Sequence, residues 1–187
     1  IMEASGDYIN LLFDDDWLEP KYLEKCMKYF VNNEEVGFVF SAANVFDDKT
    51  QKIIFNANNN FLYKDGIYDV AKYESFFLRR LISPTALIIR KKDIIDALYV
   101  GNLPLSKASY KGVGPDRLMV MLCILRYSKF GYSSEALVNY RSHPNSITMD
   151  SLTNENKKKQ IKQAYLDVNR YYFTLKFEKY ALFFFNK

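Results

Sequence analysis

The 187-residue chain is 49% hydrophobic, 26% charged and 17% aromatic, with seven Gly and five Pro, which excludes wholesale disorder and collagenous or low-complexity sequence and fits one domain or a large piece of one. Lys and Arg outnumber Asp and Glu by 26 to 22, a net charge of +4 that is scattered except at Lys157–Lys159 and lacks the basic face of a nucleic-acid binder. There is no apolar run of about 18 residues, the length a spanning helix needs. Cys26 and Cys123 lie inside apolar helical patterns and read as buried thiols, neither a disulfide pair nor metal ligands, which points to a reducing compartment.

Along the chain, Tyr8 to Phe13 predicts a buried strand that stops at Asp14, Asp15 and Asp16. Glu19 and Pro20 open a helix, where the missing proline N–H costs nothing. Its apolar face is Leu18, Tyr22, Leu23, Cys26, Met27, Phe30 and Val31. Val36 to Phe40 and Ala43 to Phe46 predict strand, with Lys52 to Phe55 as a hairpin partner after Asp47 and Asp48. A polar Asn-rich loop follows from Asn56 to Gly66, and Asp69 is placed to cap a helix running through Leu81. Thr85 to Ile89 is a β-type run, and Asp93 to Leu98 a short helix. Gly101 to Gly114 has little apolar periodicity, and loops of that length are usually functional.

Pro115 then starts an almost wholly apolar helix whose Leu118 to Leu125 must be buried, and Ala136 to Tyr140 predicts another strand. From Asn154 onward the pattern is one long helix, with Ile161, Tyr165, Val168, Tyr172 and Leu175 as its inner stripe. Tyr171, Phe173 and Phe177 lie off that stripe, more aromatic surface than one face can hide. The surplus predicts packing against a missing part, a partner or a membrane surface. Alternating strands and helices predict an α/β fold with a mixed sheet.

Three adjacent carboxylates at a strand end repel one another and need compensation. A hard divalent cation, Mg²⁺ or Mn²⁺, held with substrate phosphate oxygens would supply it at the strand C-termini where α/β proteins bind ligands. A solvated acidic turn feeding the next helix N-terminus is the alternative. Asp116, in the first turn of the apolar helix, is either a helix-capping residue or a carboxylate kept ionised by the helix dipole, as a general base must be. His143, the single histidine, is either a ligand of the metal or diphosphate or an ordinary loop residue; Arg141 pairs with phosphate or with a structural carboxylate. Arg79, Arg80 and Arg90 read as surface or structural charges.

The segment Glu3 to Pro20 (EASGDYINLLFDDDWLEP), followed by Tyr22-Leu23-Glu24, resembles the metal-binding segment of family 2 glycosyltransferases of the GT-A fold. Gly114-Pro115-Asp116-Arg117-Leu118-Met119 resembles the family's helix start after the acceptor loop, with Pro115 in place of the usual Glu. Leu137 to Thr148 resembles its Tyr-Arg-x-His-x-x-Ser-x-Thr ending. Aligned on Gly6 to Ile9 and Trp17-Leu18, the family's Asp-x-Asp-Asp places its first Asp at Phe13, Asp14 at the variable position and Asp15 and Asp16 at the later acidic ones.

The resemblance implies an inverting, metal-dependent transfer from a nucleotide-sugar donor to a saccharide or lipid-linked acceptor hydroxyl, as in bacterial polysaccharide biosynthesis. Asp116 would be the catalytic base; Asp15, Asp16 and His143 would hold Mn²⁺ or Mg²⁺; Asp14, Asp15, Asp16 and Arg141 would contact the donor. It further implies a truncated GT-A mixed sheet with flanking helices. Residues 1–148 would be the metal- and acceptor-binding part, without the nucleotide-binding units and with little activity alone, and residues 149–187 a C-terminal helical extension. The expected setting is cytoplasmic, at the inner membrane face, with no nucleic-acid partner. The C-terminal helix would offer a peripheral membrane or oligomer contact. Two rivals are a non-catalytic assembly module using that helix and a metal-dependent hydrolase using the Asp cluster.

Overall fold

The sheet is built on two long central strands, β3 (Val36–Asp47) and β7 (Lys129–Ser142), in a computed structural model that describes residues 3–57, 62, 64–97, 103, 115–143 and 154–185. They pair in parallel from Val36↔Lys129 to Asp47↔Ser142. On the other side of β3, β6 (Leu87–Arg90) pairs antiparallel, and β1 (Tyr8–Asn10) pairs antiparallel with β6. β1 therefore runs in the same direction as β3 and β7. The short β2 (Trp17–Leu18) and β5 (Gly66–Asp69) both pair antiparallel with β7, and β4 (Ile53–Ala57) pairs with β3. Among the described residues this makes a seven-stranded mixed sheet.

The helices are α1 (Tyr22–Met27), α2 (Val70–Phe77), α3 (Lys91–Ala97), α4 (Pro115–Arg126) and α5 (Glu155–Phe185), with a 3₁₀ turn at Pro84–Ala86. The mixed α/β class predicted from the alternation is the one observed. As its composition requires, α4 buries Leu118 to Ile124 against β3, α2, α3 and α5. Phe38, Phe40, Phe77 and Phe130 form the aromatic centre: Phe38 and Phe130 stack at 5.5 Å, and Phe77 meets Phe130 edge-on at 5.0 Å. Val168 and Tyr172 of α5 join this same core. Both cysteines are free and buried, and burial pushes the Cys26 thiol up to about 12.

Several predicted boundaries move, each for a local reason. Ser41 suggests a gap between two strand pieces, yet its hydroxyl is satisfied by the Ala42 carbonyl at 2.9 Å, so one strand runs through. β7 begins at Lys129, seven residues before the predicted Ala136. Its polar Ser134 and Glu135 form a bulge between the Ser41↔Ser133 and Ala42↔Ala136 pairs. Asp65 fills that bulge, accepting from the Ser134 N–H and hydroxyl at 2.8 and 2.7 Å. Gly131 is required here, because a Cβ would lie 2.8 Å from that of Tyr29. The first strand ends at Asn10 rather than Phe13, and the first helix at Met27 rather than Val31. The helix after Asp69 ends at Phe77, and the expected Asn56–Gly66 loop is bounded by strand on both sides, Ile53–Ala57 before it and Gly66–Asp69 after it. Thr85 lies in the 3₁₀ turn, not in strand.

Arg90 has the structural role expected of it. Its guanidinium packs on the rings of Tyr8, Phe30 and Tyr127 and donates to the Tyr8 hydroxyl at 3.2 Å. Arg79 and Arg80 are exposed.

Candidate functional site

Parallel pairing places the C-terminal ends of β3 and β7 side by side, and β2 brings the acidic turn to the same place. β1 ends at Asn10, whose side-chain amide donates to the carbonyls of Thr85 and Leu87 at 2.8 and 2.9 Å. That fixes the 3₁₀ turn beneath the acidic segment. The chain then turns, closed by the Asp16 N–H on the Phe13 carbonyl at 3.3 Å. β2 follows at once, with Trp17 opposite Asn139 and Leu18 opposite Val138. Asp15 and Asp16 are thus delivered to Arg141 and His143, more than 120 residues away in sequence.

A polar chain on the strands holds this junction. Asn56 donates to Asn44 at 2.6 Å, Asn44 to Asn139 at 2.8 Å, and Asn139 to Glu19 at 2.7 Å. Each link spans neighbouring strands or the β2–α1 turn. Buried Asn139 is thereby satisfied, as a buried amide must be.

Asp16 points inward. Its carboxylate accepts from the buried Thr85 hydroxyl at 2.7 Å and from the Arg141 N–H at 3.2 Å. Burial raises its pKa above the usual carboxylate value; the two hydrogen bonds offset part of that, and the neighbouring Asp15 adds to it. Asp15 faces the other way, with one carboxylate oxygen 3.2 Å from His143 Nε2. Their side chains are 37% and 30% exposed, so solvent and ligands reach both. Arg141 binds the turn together: its Nε donates to the Asp15 carbonyl and its Nη1 to Asp48, both at 3.3 Å. The guanidinium also lies 5.9 Å from the Trp17 ring centroid, and Trp17 packs on Phe46 at 5.0 Å. Asp14 is exposed and takes no hydrogen bond or ion pair among the described residues. Phe13, at the position where the resembled family carries its first Asp, is 48% exposed.

Asp116 stands on a different scaffold, the corner between α4 and α5. It is the second residue of α4, and its carboxylate accepts the Arg117 N–H at 2.8 Å. Arg117 is buried, with its guanidinium 4.5 Å over the Tyr165 ring and Nη1 donating to the Leu78 carbonyl at 3.4 Å. Tyr165 of α5 also hydrogen-bonds Asp116; burial first, and then that carboxylate, push its phenol well above the usual range. The structure therefore gathers Asp15, Asp16, Arg141 and His143 into one cluster, and mounts Asp116 separately. Gly101–Gly114 apart from Leu103, and the Pro144–Thr148 part of the third motif, lie outside the described residues, as does part of the Asn56–Gly66 loop.

Thr85, Asp48 and Tyr165 do not emerge from the sequence reading. Asp48 is brought beside Arg141 by the parallel pairing that sets Asp47 opposite Ser142, a register the sequence does not reveal. Thr85 carries no signal either, since its run reads as ordinary strand.

Among the described residues no group of three or more His, Cys, Asp and Glu converges on one point. A hard cation that keeps several waters and substrate oxygens needs only one or two protein donors. The Asp15 oxygen and His143 nitrogen are 3.2 Å apart, close to the roughly 3 Å between adjacent ligands of an octahedral ion with bonds of about 2.1 Å. The exposed Asp15 carboxylate is the kind of oxygen donor such an ion takes, while the 3.2 Å contact is equally that of a hydrogen bond to His143.

No family profile matches the chain. The chain is similar to an uncharacterized glycosyltransferase of the archaeon Methanocaldococcus jannaschii, 26% identical over 140 residues, which cover 74% of this chain and 43% of that protein. The chain thus spans less than half the length of this relative.

Proposed function

We propose that this chain carries the metal- and acceptor-binding part of an inverting glycosyltransferase of the family 2 type, using a nucleotide-sugar donor. The observation that carries the reading is the meeting of Asp15 and Asp16 with Arg141 and His143 at the C-terminal ends of parallel strands. Two segments of unrelated sequence position converge where ligands of α/β sheets bind. The glycosyltransferase relative supports the same class of chemistry.

In this reading Asp15 and His143 hold Mn²⁺ or Mg²⁺ at their exposed edge, and Asp16 backs them from its buried seat on Thr85. The cation, when bound, supplies charge neutralisation for the departing nucleoside diphosphate. Arg141 fixes the turn through the Asp15 carbonyl and keeps Trp17 in place. Asp116 accepts the proton of the acceptor hydroxyl. The freed oxygen attacks the anomeric carbon from the face opposite the diphosphate. The bond from that carbon to the diphosphate oxygen breaks, and its electron pair leaves with the diphosphate, so configuration inverts. Arg117 and Tyr165 position Asp116 at the helix start.

Two measurements test this. Mn²⁺ binding to the protein, followed by electron paramagnetic resonance, should be lost in both Asp15→Asn and His143→Gln. Unchanged binding in both variants would sink the metal assignment. In the intact enzyme, Asp116→Asn should reduce turnover by about 10²–10⁴-fold, the usual worth of a general base, with donor affinity retained. Turnover that survives the substitution would remove Asp116 from the reaction.

A further inference from the structure

Charged residues are spread over the chain, but the excess of positive over negative falls on one helix. α5 carries seven basic and three acidic residues, a net +4 equal to that of the whole chain, leaving 19 of each sign elsewhere. The distribution on the helix is ordered. Opposite its buried stripe of Ala164, Val168 and Tyr172 runs an outward line at three-, four- and seven-residue steps: Lys159, Lys162, Leu166, Phe173, Phe177 and Tyr180. All six are exposed, Phe177 at 75%. Arg170 flanks the line, whereas Asp167 is buried and ion-paired to Arg170. The helix face is thus basic in its first half and aromatic in its second.

We infer that this face of α5 lies on the surface of an anionic lipid membrane, with the aromatic half seated among the acyl chains and the basic half against lipid phosphates. Three observations select lipid over other occupants. First, the last turn is apolar on more than one side: Leu182 and Phe185 are exposed on flanks well away from the Phe173–Tyr180 line. A protein groove accepts one face of a helix, whereas a lipid interface also accommodates apolar flanks beside that face. Second, Leu166, Phe173, Phe177 and Tyr180, each about half exposed or more, offer on the order of 400 Å², so a stable two-fold contact of about 800 Å² per partner would need as much again from the surrounding helix surface, which is net positive on both copies. Third, the sign of the charge is the one that negative lipid headgroups attract. Among the described residues no helix is long and apolar enough to cross a membrane, so α5 lies on the surface.

The helix that carries the anchoring face also supports the candidate base on α4, since Tyr165 contacts Asp116 from the side of α5 turned toward α4. The inference does not rest on the glycosyl-transfer reading, because lipid binding is read without any activity.

The test is flotation of the intact protein with vesicles of phosphatidylcholine alone or with a third of the lipid replaced by phosphatidylglycerol. Binding is expected to the anionic vesicles only, and to fall as salt rises. Lys159→Gln with Lys162→Gln should weaken it roughly 25-fold, about fivefold for each positive charge near an anionic surface. Phe173→Ser with Phe177→Ser should weaken it about tenfold or more. Both pairs are exposed, so far-UV circular dichroism should show unchanged folding. Equal binding to both vesicle types, or binding that survives either double substitution, overturns the inference. So does a concentration-dependent dimer that is abolished by the Phe pair and accompanied by no lipid binding.

Discussion

Asp93 and Asp15 are both carboxylates with a basic nitrogen close by, and the fold uses them in opposite ways. Asp93 is 3% exposed and accepts from Arg126 Nη1 and the Tyr127 hydroxyl, each at 2.8 Å. Asp15 lies 3.2 Å from His143 at the open end of the sheet, with both side chains reaching solvent. A buried charge survives only when its hydrogen-bonding capacity is met, so Asp93 has no capacity to offer a ligand. The Asp15–His143 pair has been desolvated far less and gains little from its own contact, so an incoming ligand displaces little. Asp16 stands between the two: one side is anchored on Thr85 and the other belongs to the turn that presents Asp15. Burial, more than the kind of group, separates the structural carboxylate from the available one.

The largest effect should come from the buried member. Asp93→Ala should cost about 2–4 kcal/mol of stability, the range for breaking a buried pair, discounted because Arg126 can reach water. Urea unfolding measures this. Tyr127, now pushed up to about 12 by burial and by the hydrogen bond and charge of Asp93, should titrate lower in that variant, as followed by ultraviolet absorbance. Mn²⁺ binding should be unaffected. A stability loss near zero would show that Asp93 is dispensable and would break the contrast.

The intermediate case is Thr85→Val. Losing a hydrogen bond to a charged acceptor should cost about 1–2 kcal/mol at neutral pH, since the half-exposed Asp16 recruits water in its place. The pH dependence has a definite sign. The native state already holds the Asp16 proton more tightly than the unfolded chain, so this group's contribution to stability falls as pH rises from the ordinary 3.8 through its raised value. The Thr85 hydroxyl favours the ionised form, so its removal raises that value further. The stability deficit should therefore be present at neutral pH and shrink on acidification toward 3.8. A deficit that is equal at both ends would place the Thr85 contribution elsewhere.

The smallest stability effect belongs to Asp15→Asn, expected to stay within about 0.5 kcal/mol, as for other solvent-exposed pairs. Its consequence should appear in Mn²⁺ binding alone. A large loss of stability there would make Asp15 a structural residue like Asp93.

Much of the fold was legible because burial imposes patterns. The unbroken apolar run of Leu118 to Leu125 could only be an interior helix, and α4 is one. Val168 and Tyr172 fall on the buried side of α5, with Phe173 and Phe177 outside, as their spacing requires. The central strands were less legible. Ser41 and the Ser133–Glu135 stretch read as breaks because a polar residue inside a sheet is satisfied by partners that the local sequence does not reveal. For the candidate site, the acidic triplet, Arg141 and His143 stood out by residue type. Their contact, and the different orientations of Asp14, Asp15 and Asp16, did not.

Residue order alone settled which residues carry charge and which helix faces must be buried, as α4 and the inner stripe of α5 show. Those properties follow from solvation and side-chain period, which act locally. That Asp15 meets His143, that Asp16 turns inward onto Thr85 and that Asp116 stands on the α4–α5 corner came from the assembled fold. The reason is strand pairing across the chain. Register between β2, β3 and β7 depends on hydrogen bonds among backbones more than 90 residues apart, and backbone groups are the same in every residue.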